Sequence, residues 1–371
     1  MPKIININQK KAEYLRLHLE LSMDVDGEEW ETLRKYGKVA QSISRDLLVS
    51  AEMPLHNLHY AIQRAFGWQN SHLHEFSYPD EVVSAMTGNR VEGWLPLCGV
   101  YFRFPDEDDR DIYWDDDYNG YSSFAVWLKK KYTAPYYYGG RSEHFLFAQT
   151  AARAFAFENP VIRVAPSFEE FQAGHREPRT KKLTDVSLLE LQTTFDSGMF
   201  ELLERLPVGQ VIGLSVDADW KEKVDTLTET AAASMFCSFD KLNHGEDEPF
   251  EIFTQANPAV LPLSDTLLYS YDSGNGWEVL ITCTGVYDEE NCAEYQQQLA
   301  LIAEKGRPVC IAADGLPVLD DVGGIYGYCA FLNAIHGKDG GDFGFDDKEE
   351  AKEWGRSQGW SGTMKKPESI L

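Results

Sequence analysis

Two stretches that contain strand-like sequence, residues 13–79 and 259–371, constrain the fold of this 371-residue chain more than any other feature, and about 180 residues separate them. In the first stretch, Leu15, Leu17, Leu19 and Leu21 alternate with polar residues, which is the period of a half-buried strand. In the second, the segments DTLLYSYD and GWEVLITCTGVY flank the turn SGNG, which predicts a β-hairpin. Neither stretch supplies enough elements to cover its own apolar sheet face, so we expect the two to pack together.

Helical patterns accompany these strands. Pro54 is expected to open a helix, because proline suits a first turn, and Gly67 is expected to cap the same helix at its C-terminus. A strand is predicted to begin near Leu73, which gives the order strand, strand, helix, strand. After the hairpin, the segments AEYQQQLALIAEKG, IYGYCAFLNAIHG and DDKEEAKEWGRSQGW predict three further helices.

The middle of the chain has a different pattern. Residues 142–235 are mostly helical in their hydrophobic spacing, and no internal repeat is visible. The sequence therefore predicts an α+β fold, in which a composite sheet-and-helix domain from residues 1–79 and 259–371 is interrupted by a mainly helical insertion lobe at 80–258.

Composition excludes several classes of protein. Sixty Asp and Glu against 34 Lys and Arg give a formal net charge of −26, which opposes the phosphate neutralisation that duplex binding requires. No stretch approaches the ~18 apolar residues of a membrane span, and the six cysteines are widely spread with no C-x-x-C pair. We expect a cytoplasmic protein with reduced thiols that binds neither duplex nucleic acid nor membranes.

Motifs in both halves carry a family resemblance. The segment PLHNLHYAIQRAFGWQNSHLHEF, the hairpin LLYSYDSGNGWEVLI and the segment RPVCIAADGLPVLDDVGGIYGYCAFLNAI resemble the plasmid pRiA4b ORF-3-like family, also labelled the passenger TnpR-like family of insertion elements. The resemblance implies an α+β fold and a mobile-element context, and it brings no established activity.

The hairpin departs from the family pattern at two places. The family usually carries a second acidic residue where this chain has Asn275, and a histidine where it has Val279. If the family site uses those groups, part of it is missing here.

Four histidines are predicted to lie close together. His56 and His59 are three apart on a helix, and His72 and His74 are two apart on a strand, so each pair shares a face. Four imidazoles could bind zinc or a similar divalent metal, with Glu75 as an outer-shell partner. The alternative is that these histidines cross-link a polar corner by hydrogen bonds.

A second metal pattern lies in DDDYNGYSSFAV. Asp115, Asp117 and Asn119 match the first ligand positions of an EF-hand loop, but Val126 stands where a bidentate glutamate belongs. The alternative is an aspartate-rich turn that precedes a helix.

Gly323 and Gly324 open a predicted helix, whose free N–H groups could receive an anion. The preceding acids would repel an anion, so a helix cap by Asp320 or Asp321 is the better interpretation.

The two halves are predicted to form one shared pocket at these element ends, where binding clefts usually lie. Its candidate residues are His59, His72, His74, Glu75, Asp272, Trp277, Asp320, Asp321, Gly323 and Gly324. The leading hypothesis is a non-enzymatic binding or interaction module whose partner is another protein or a small ligand. The alternatives are a metal-dependent hydrolase that uses the histidine corner, and an acidic decoy for a nucleic-acid-binding protein.

Overall fold

The structure is a computed structural model. It describes residues 13–98, 101–103, 123–133, 155–195, 198–214, 264–288, 291, 293–337, 344–345 and 347–371. The predicted calcium ligands Asp115, Asp117 and Asn119 lie outside these described residues, so that hypothesis stays a prediction.

An antiparallel sheet of six strands forms the centre of the described structure. The strands in chain order are β1 (Tyr14–Leu21), β2 (Ser44–Ser50), β3 (His74–Ser77), β4 (Val161–Val164), β5 (Arg179–Lys182), β6 (Thr266–Tyr271), β7 (Trp277–Tyr287) and β8 (Val309–Asp314). The six-stranded sheet has the order β3-β6-β7-β1-β2-β8, and β4 and β5 pair separately. Strands from both chain halves therefore lie side by side in one sheet, which confirms the predicted composite α+β fold.

Helices surround this sheet. They are α1 (Gly27–Lys35), α2 (Leu55–Phe66), α3 (Asp80–Thr87), α4 (Val91–Trp94), α5 (Phe124–Thr133), α6 (Phe168–Gln172), α7 (Leu188–Phe195), α8 (Val208–Val211), α9 (Gln296–Lys305), α10 (Gly324–His336) and α11 (Lys348–Ser357), with short 3-10 turns at Leu95–Leu97, Leu183–Asp185 and Pro367–Ser369. No helix among the described residues is long and apolar enough to cross a membrane.

The main core lies on one face of the sheet. The four alternating leucines of β1 are each at most 1 % exposed, and they share a hydrophobic cluster with residues of α2 and α10. Their fixed period of two directs every second side chain to this face. The opposite face of β1 carries Arg16, His18 and Glu20, and α9 covers the neighbouring part of that face.

The end of α2 fixes one contact between the two halves. Gly67 takes a left-handed φ of 94°, as expected for a C-cap. A Cβ atom there would lie 2.9 Å from the Pro317 Cβ and 3.0 Å from the Val318 carbonyl oxygen. The Val318 N–H also donates to the Phe66 carbonyl at 2.8 Å. The close approach of the two halves therefore requires glycine at position 67.

The described part of 80–258 adds no strand to the six-stranded sheet, because β4 and β5 pair only with each other. Several of its side chains, including Val82, Trp94 and Leu202, nevertheless belong to the same hydrophobic cluster as the sheet. The division into a two-part domain and a separate insertion lobe stays a prediction.

Candidate binding site

The end of α2, the start of β3, the β6–β7 turn and the start of α10 meet at one place, which we call the junction. Here the candidate residues fall into two groups. The first, the junction triad, consists of His72, Asp272 and Asp321. The second, the buried histidine cluster, consists of His56, His59 and His74 together with Glu204.

The junction triad joins residues from distant parts of the chain. The His72 Nε2 atom lies 2.9 Å from the Asp321 Oδ1 atom and 3.4 Å from the Asp272 Oδ2 atom. The side chain of His72 is 30 % exposed and that of Asp321 60 %, whereas that of Asp272 is only 8 % exposed. The triad therefore has a buried side, at Asp272, and a side open to solvent.

The hairpin turn orients Asp272. The Asn275 N–H donates to its Oδ1 at 3.3 Å, and the Asn275 side-chain amide donates to its Oδ2. Both triad aspartates have left-handed backbone, with φ of 52° at Asp272 and 54° at Asp321. Aspartate and asparagine accept that conformation more readily than other residues with a Cβ atom. The hairpin turn therefore holds Asp272 in place through Asn275.

Asp320 lies beside the triad and is almost fully buried, at 1 % exposed. Its Oδ2 accepts from the Gln69 N–H at 2.5 Å, the Tyr271 hydroxyl at 3.1 Å and the Ser71 hydroxyl at 3.2 Å. Its Oδ1 has no hydrogen-bond partner among the described residues. Burial raises the pKa of the Asp320 carboxyl, and these hydrogen bonds together with the charge of His72 oppose that rise only in part.

The predicted helix cap by Asp320 or Asp321 is wrong. α10 begins after Gly323, which is the N-cap residue with φ of 85°, and no side chain caps the helix. Asp320 instead accepts from residues before β3, and Asp321 contacts His72. Gly324 permits a close approach, because a Cβ atom there would lie 2.6 Å from the Asn275 carbonyl oxygen. Gly324 therefore allows the hairpin turn to pack closely against the start of α10.

The buried histidine cluster is built around a glutamate. The Glu204 carboxylate lies 2.6 Å from the His74 Nε2 atom and 3.0 Å from the His56 Nδ1 atom. Burial raises the pKa of the Glu204 carboxyl, but the charge of His74 and the hydrogen bonds from His56 and His74 outweigh it, so that the pKa lies well below its usual value. Glu204 is therefore an ionised group held in the protein interior by two imidazoles.

His59 completes the cluster by stacking on His74, with ring centroids 3.5 Å apart. Its Nε2 donates to the Asn70 side-chain carbonyl at 2.7 Å, and its Nδ1 accepts from the Tyr269 hydroxyl at 2.8 Å. That hydroxyl in turn accepts from the Gln63 side-chain amide. Burial, followed by the charge of His74, holds the pKa of His59 well below its ordinary value. Both ring nitrogens of a neutral His59 are therefore already engaged in hydrogen bonds.

The four histidines do not converge as one set. β3 begins at His74, so His72 lies in the loop before the strand and turns to the junction triad. Among the described residues, the triad is the one group of three or more His, Cys, Asp or Glu whose ligand atoms all lie within 4.8 Å of one another. His56, His59 and His74 instead match the alternative interpretation, in which the histidines cross-link a polar corner by hydrogen bonds.

Two of the predicted pocket residues, Glu75 and Trp277, belong neither to the junction triad nor to the buried histidine cluster. Glu75 follows His74 in β3 and therefore faces the opposite side of the sheet, where burial raises its pKa. Trp277 is 2 % exposed and packs against Trp68, with ring centroids 5.8 Å apart. Trp277 is therefore part of the core at the junction.

No local sequence pattern predicts two partners of the buried histidine cluster. Glu204 lies in the segment ELLERLP, where an acid between leucines is typical of an exposed helix position. Tyr269 has the alternation of a strand, but its distance from His59 depends on how β3 and β6 pair.

Comparison with known families supports the resemblance that the motifs carry. The family described as plasmid pRiA4b ORF-3-like protein matches residues 35–133 and 258–365. The chain belongs to the plasmid pRiA4b ORF-3-like family. The residues between the two matched segments, 134–257, are fewer than the insertion predicted at 80–258.

A comparison with solved structures finds similarity to the crystal structure of a protein of unknown function, MM3350, from Methanosarcina mazei Go1. The identity is 13 %, the alignment covers 98 % of this chain and 99 % of that chain, and the TM-score is 0.33. This likeness is too distant to support an argument about function. No curated protein matches the chain.

The structure shows what the two residues at the predicted departures do. Asn275 donates to Asp272 at the hairpin turn. Val279 is fully buried in β7, paired with Tyr269 in β6. The hairpin turn therefore carries an amide beside Asp272, and the strand behind it carries an apolar residue.

Proposed function

We propose that this member of the plasmid pRiA4b ORF-3-like family is a non-enzymatic binding module, and that its binding site is the junction. The observation that carries the proposal is the contact of 2.9 Å between the His72 Nε2 and Asp321 Oδ1 atoms. It joins residues 249 positions apart, at a place where polar groups remain accessible. Binding sites usually combine such accessible polar groups with a rigid support.

The support comes from the groups behind the triad. Asp320 links the segment before β3 to β6 through Gln69, Ser71 and Tyr271. The buried histidine cluster links α2, β3 and the segment around Glu204. Because these residues are buried and bonded to one another, they favour a role in positioning the loop that carries His72.

The alternative, a metal-dependent hydrolase that uses the histidine corner, receives less support. A catalytic zinc site needs three protein ligands and an open position for water. Both nitrogens of His59 are engaged, and His56 and His74 are paired with Glu204.

The partner on this proposal is a small ligand or another protein. A formal net charge of −26 opposes the counterion release that dominates non-specific DNA affinity. We expect no binding to random duplex DNA at physiological salt. A micromolar, salt-sensitive dissociation constant would contradict this expectation.

Native mass spectrometry of the untagged chain, taken directly from cell extract, tests the proposal. We expect a mass above that of the chain alone, and we expect His72→Ala to remove the added mass. His18→Ala is the matched control, because the His18 side chain is 34 % exposed and also lies between two acids, Asp46 and Glu20. A wild-type mass equal to that of the chain, or an added mass that His72→Ala retains, would contradict the proposal.

A further inference from the structure

We propose that the junction triad is a divalent transition-metal site, with His72 Nε2, Asp272 Oδ2 and Asp321 Oδ1 as its protein ligands. This inference rests on the proposed binding function and names the ligand. It differs from the four-histidine site that the sequence predicts, since only His72 is common to both.

The spacing of the ligand atoms fits a coordination shell. Nitrogen and oxygen ligands lie about 2.1 Å from such a metal, so neighbouring ligands are about 3.0 Å apart in octahedral geometry and about 3.4 Å apart in tetrahedral geometry. The His72 nitrogen lies 2.9 Å from the Asp321 oxygen and 3.4 Å from the Asp272 oxygen. A single N–H can point directly at only one of these oxygens, whereas a metal would satisfy both.

The charge and type of the ligands fit a divalent transition metal. Two carboxylates balance a 2+ ion, and an imidazole nitrogen favours zinc, cobalt, nickel, manganese or iron over calcium and magnesium, which prefer oxygen. In the described part of the chain, no basic side chain other than His72 forms an ion pair with Asp272 or Asp321. The strongly negative chain also raises the local concentration of cations.

Asp320 supplies an independent observation. Its carboxyl is 1 % exposed, and its Oδ1 has no hydrogen-bond partner among the described residues. A buried carboxylate with a bare oxygen, beside the acid Asp321 and close enough to His72 to feel its charge, is unfavourable unless a positive charge lies nearby. A metal ion in the triad would provide that charge. The Oδ2 hydrogen bonds to Gln69, Ser71 and Tyr271 hold the Asp320 side chain in place.

The site is open on one side and rigid on the other. Asp272 is fixed by Asn275, while Asp321 is 60 % exposed, so a metal held by three protein ligands would keep positions open toward solvent. A second histidine between two acids, His18 in β1, does not offer a comparable metal site. His18 also lies between Asp46 and Glu20, but Arg16 donates to Asp46 at 3.1 Å and already supplies the positive charge. His18→Ala is therefore a matched control, because His18, like His72, lies between two acids and has a similar exposure.

Titration of the full, metal-stripped chain with Co²⁺, followed by calorimetry and visible absorption, tests the inference. We expect one Co²⁺ per chain, and a loss of affinity of more than about tenfold in His72→Ala and in Asp321→Asn, since even outer-shell changes typically cost 10- to 100-fold. Asparagine keeps the left-handed backbone at position 321, so that variant should fold normally. His18→Ala should bind as the wild type does.

The results separate this inference from the proposed function. Unchanged Co²⁺ affinity in His72→Ala or Asp321→Asn, equal losses in His18→Ala, or the absorption of cysteine-bound cobalt would overturn the metal site. An organic added mass in native mass spectrometry, lost in His72→Ala, together with no Co²⁺ binding would overturn the metal site and retain the binding module. No added mass and no Co²⁺ binding would overturn both.

Discussion

The buried histidine cluster and the junction triad contain the same residue types, but their surroundings give them different roles. In the cluster, Glu204 is held between His56 and His74, and the ring nitrogens of His59 are both bonded. In the triad, one histidine faces two carboxylates, and one of these is largely exposed. Polar groups that are buried and paired stabilise a fold, whereas accessible groups with unbalanced charge can bind a ligand. Breaking each group should therefore have different effects.

The largest effect on stability is expected from Glu204→Ala. Removal of one partner from a buried ion pair typically costs about 3–5 kcal/mol, because the remaining groups lose their counter-charge. Urea unfolding measures the change in free energy. Glu349→Ala is the control, because Glu349 pairs with Lys352 at 2.7 Å on the surface, with its side chain 70 % exposed, and exposed ion pairs contribute little to stability. Equal losses in the two variants would remove the distinction between buried and exposed pairs.

Acid should weaken the fold through the same glutamate. The pKa of Glu204 is lowered in the folded protein, so its ionised form stabilises the fold above the unfolded pKa, about 4.3. That stabilisation is lost as the pH falls from this value through the folded pKa. Urea unfolding at a series of pH values should show a steeper loss in the wild type than in Glu204→Gln. Parallel curves would contradict the assignment of an ionised Glu204.

Tyr269→Phe should have an intermediate effect. It removes the hydroxyl that links Gln63 to His59 and leaves buried groups without a partner, at a cost of about 1–3 kcal/mol. Tyr326→Phe is the matched control, because Tyr326 is 55 % exposed and its hydroxyl bonds only the Asp24 carbonyl among the described residues. We expect the control to leave the free energy of unfolding nearly unchanged, because surface substitutions of this kind have little effect. A loss in the control as large as that in Tyr269→Phe would show that burial of the network is unimportant.

The smallest effect on stability is expected from His72→Ala in the absence of metal. Its ion pair with Asp321 is partly exposed to solvent, and such pairs typically contribute about 0–1 kcal/mol. The free energy of unfolding of the metal-free protein checks this expectation. A loss similar to that of Glu204→Ala would mean that His72 stabilises the fold as the buried histidine cluster does.

The same contrast explains how far the sequence could predict the molecule. The alternating leucines of β1 and the hairpin turn fix strands by local periodicity, and Gly67 marks a helix end by its own conformational freedom. Each of these signals lies within a few residues, and each is confirmed by the structure.

Local sequence patterns could not predict which histidines belong to the junction triad and which to the buried histidine cluster. That division depends on the start of β3 at His74 rather than at His72, and on Glu204, which is 130 positions away from His74 in the sequence. The helix cap was wrong for the same reason. Asp320 and Asp321 have the right spacing for a cap, but tertiary contacts with Gln69 and His72 engage them instead.

The shift in unfolding free energy that Co²⁺ produces in the wild type, His72→Ala and His74→Ala tests the separation of the two groups most directly. A ligand that binds the folded state stabilises it by an amount set by its concentration and affinity. We expect His74→Ala to lower the metal-free stability by about 1–3 kcal/mol and to retain a Co²⁺-dependent increase. His72→Ala should remain close to the wild type without metal and should show no increase with Co²⁺. An increase in His72→Ala equal to that of the wild type would contradict the account.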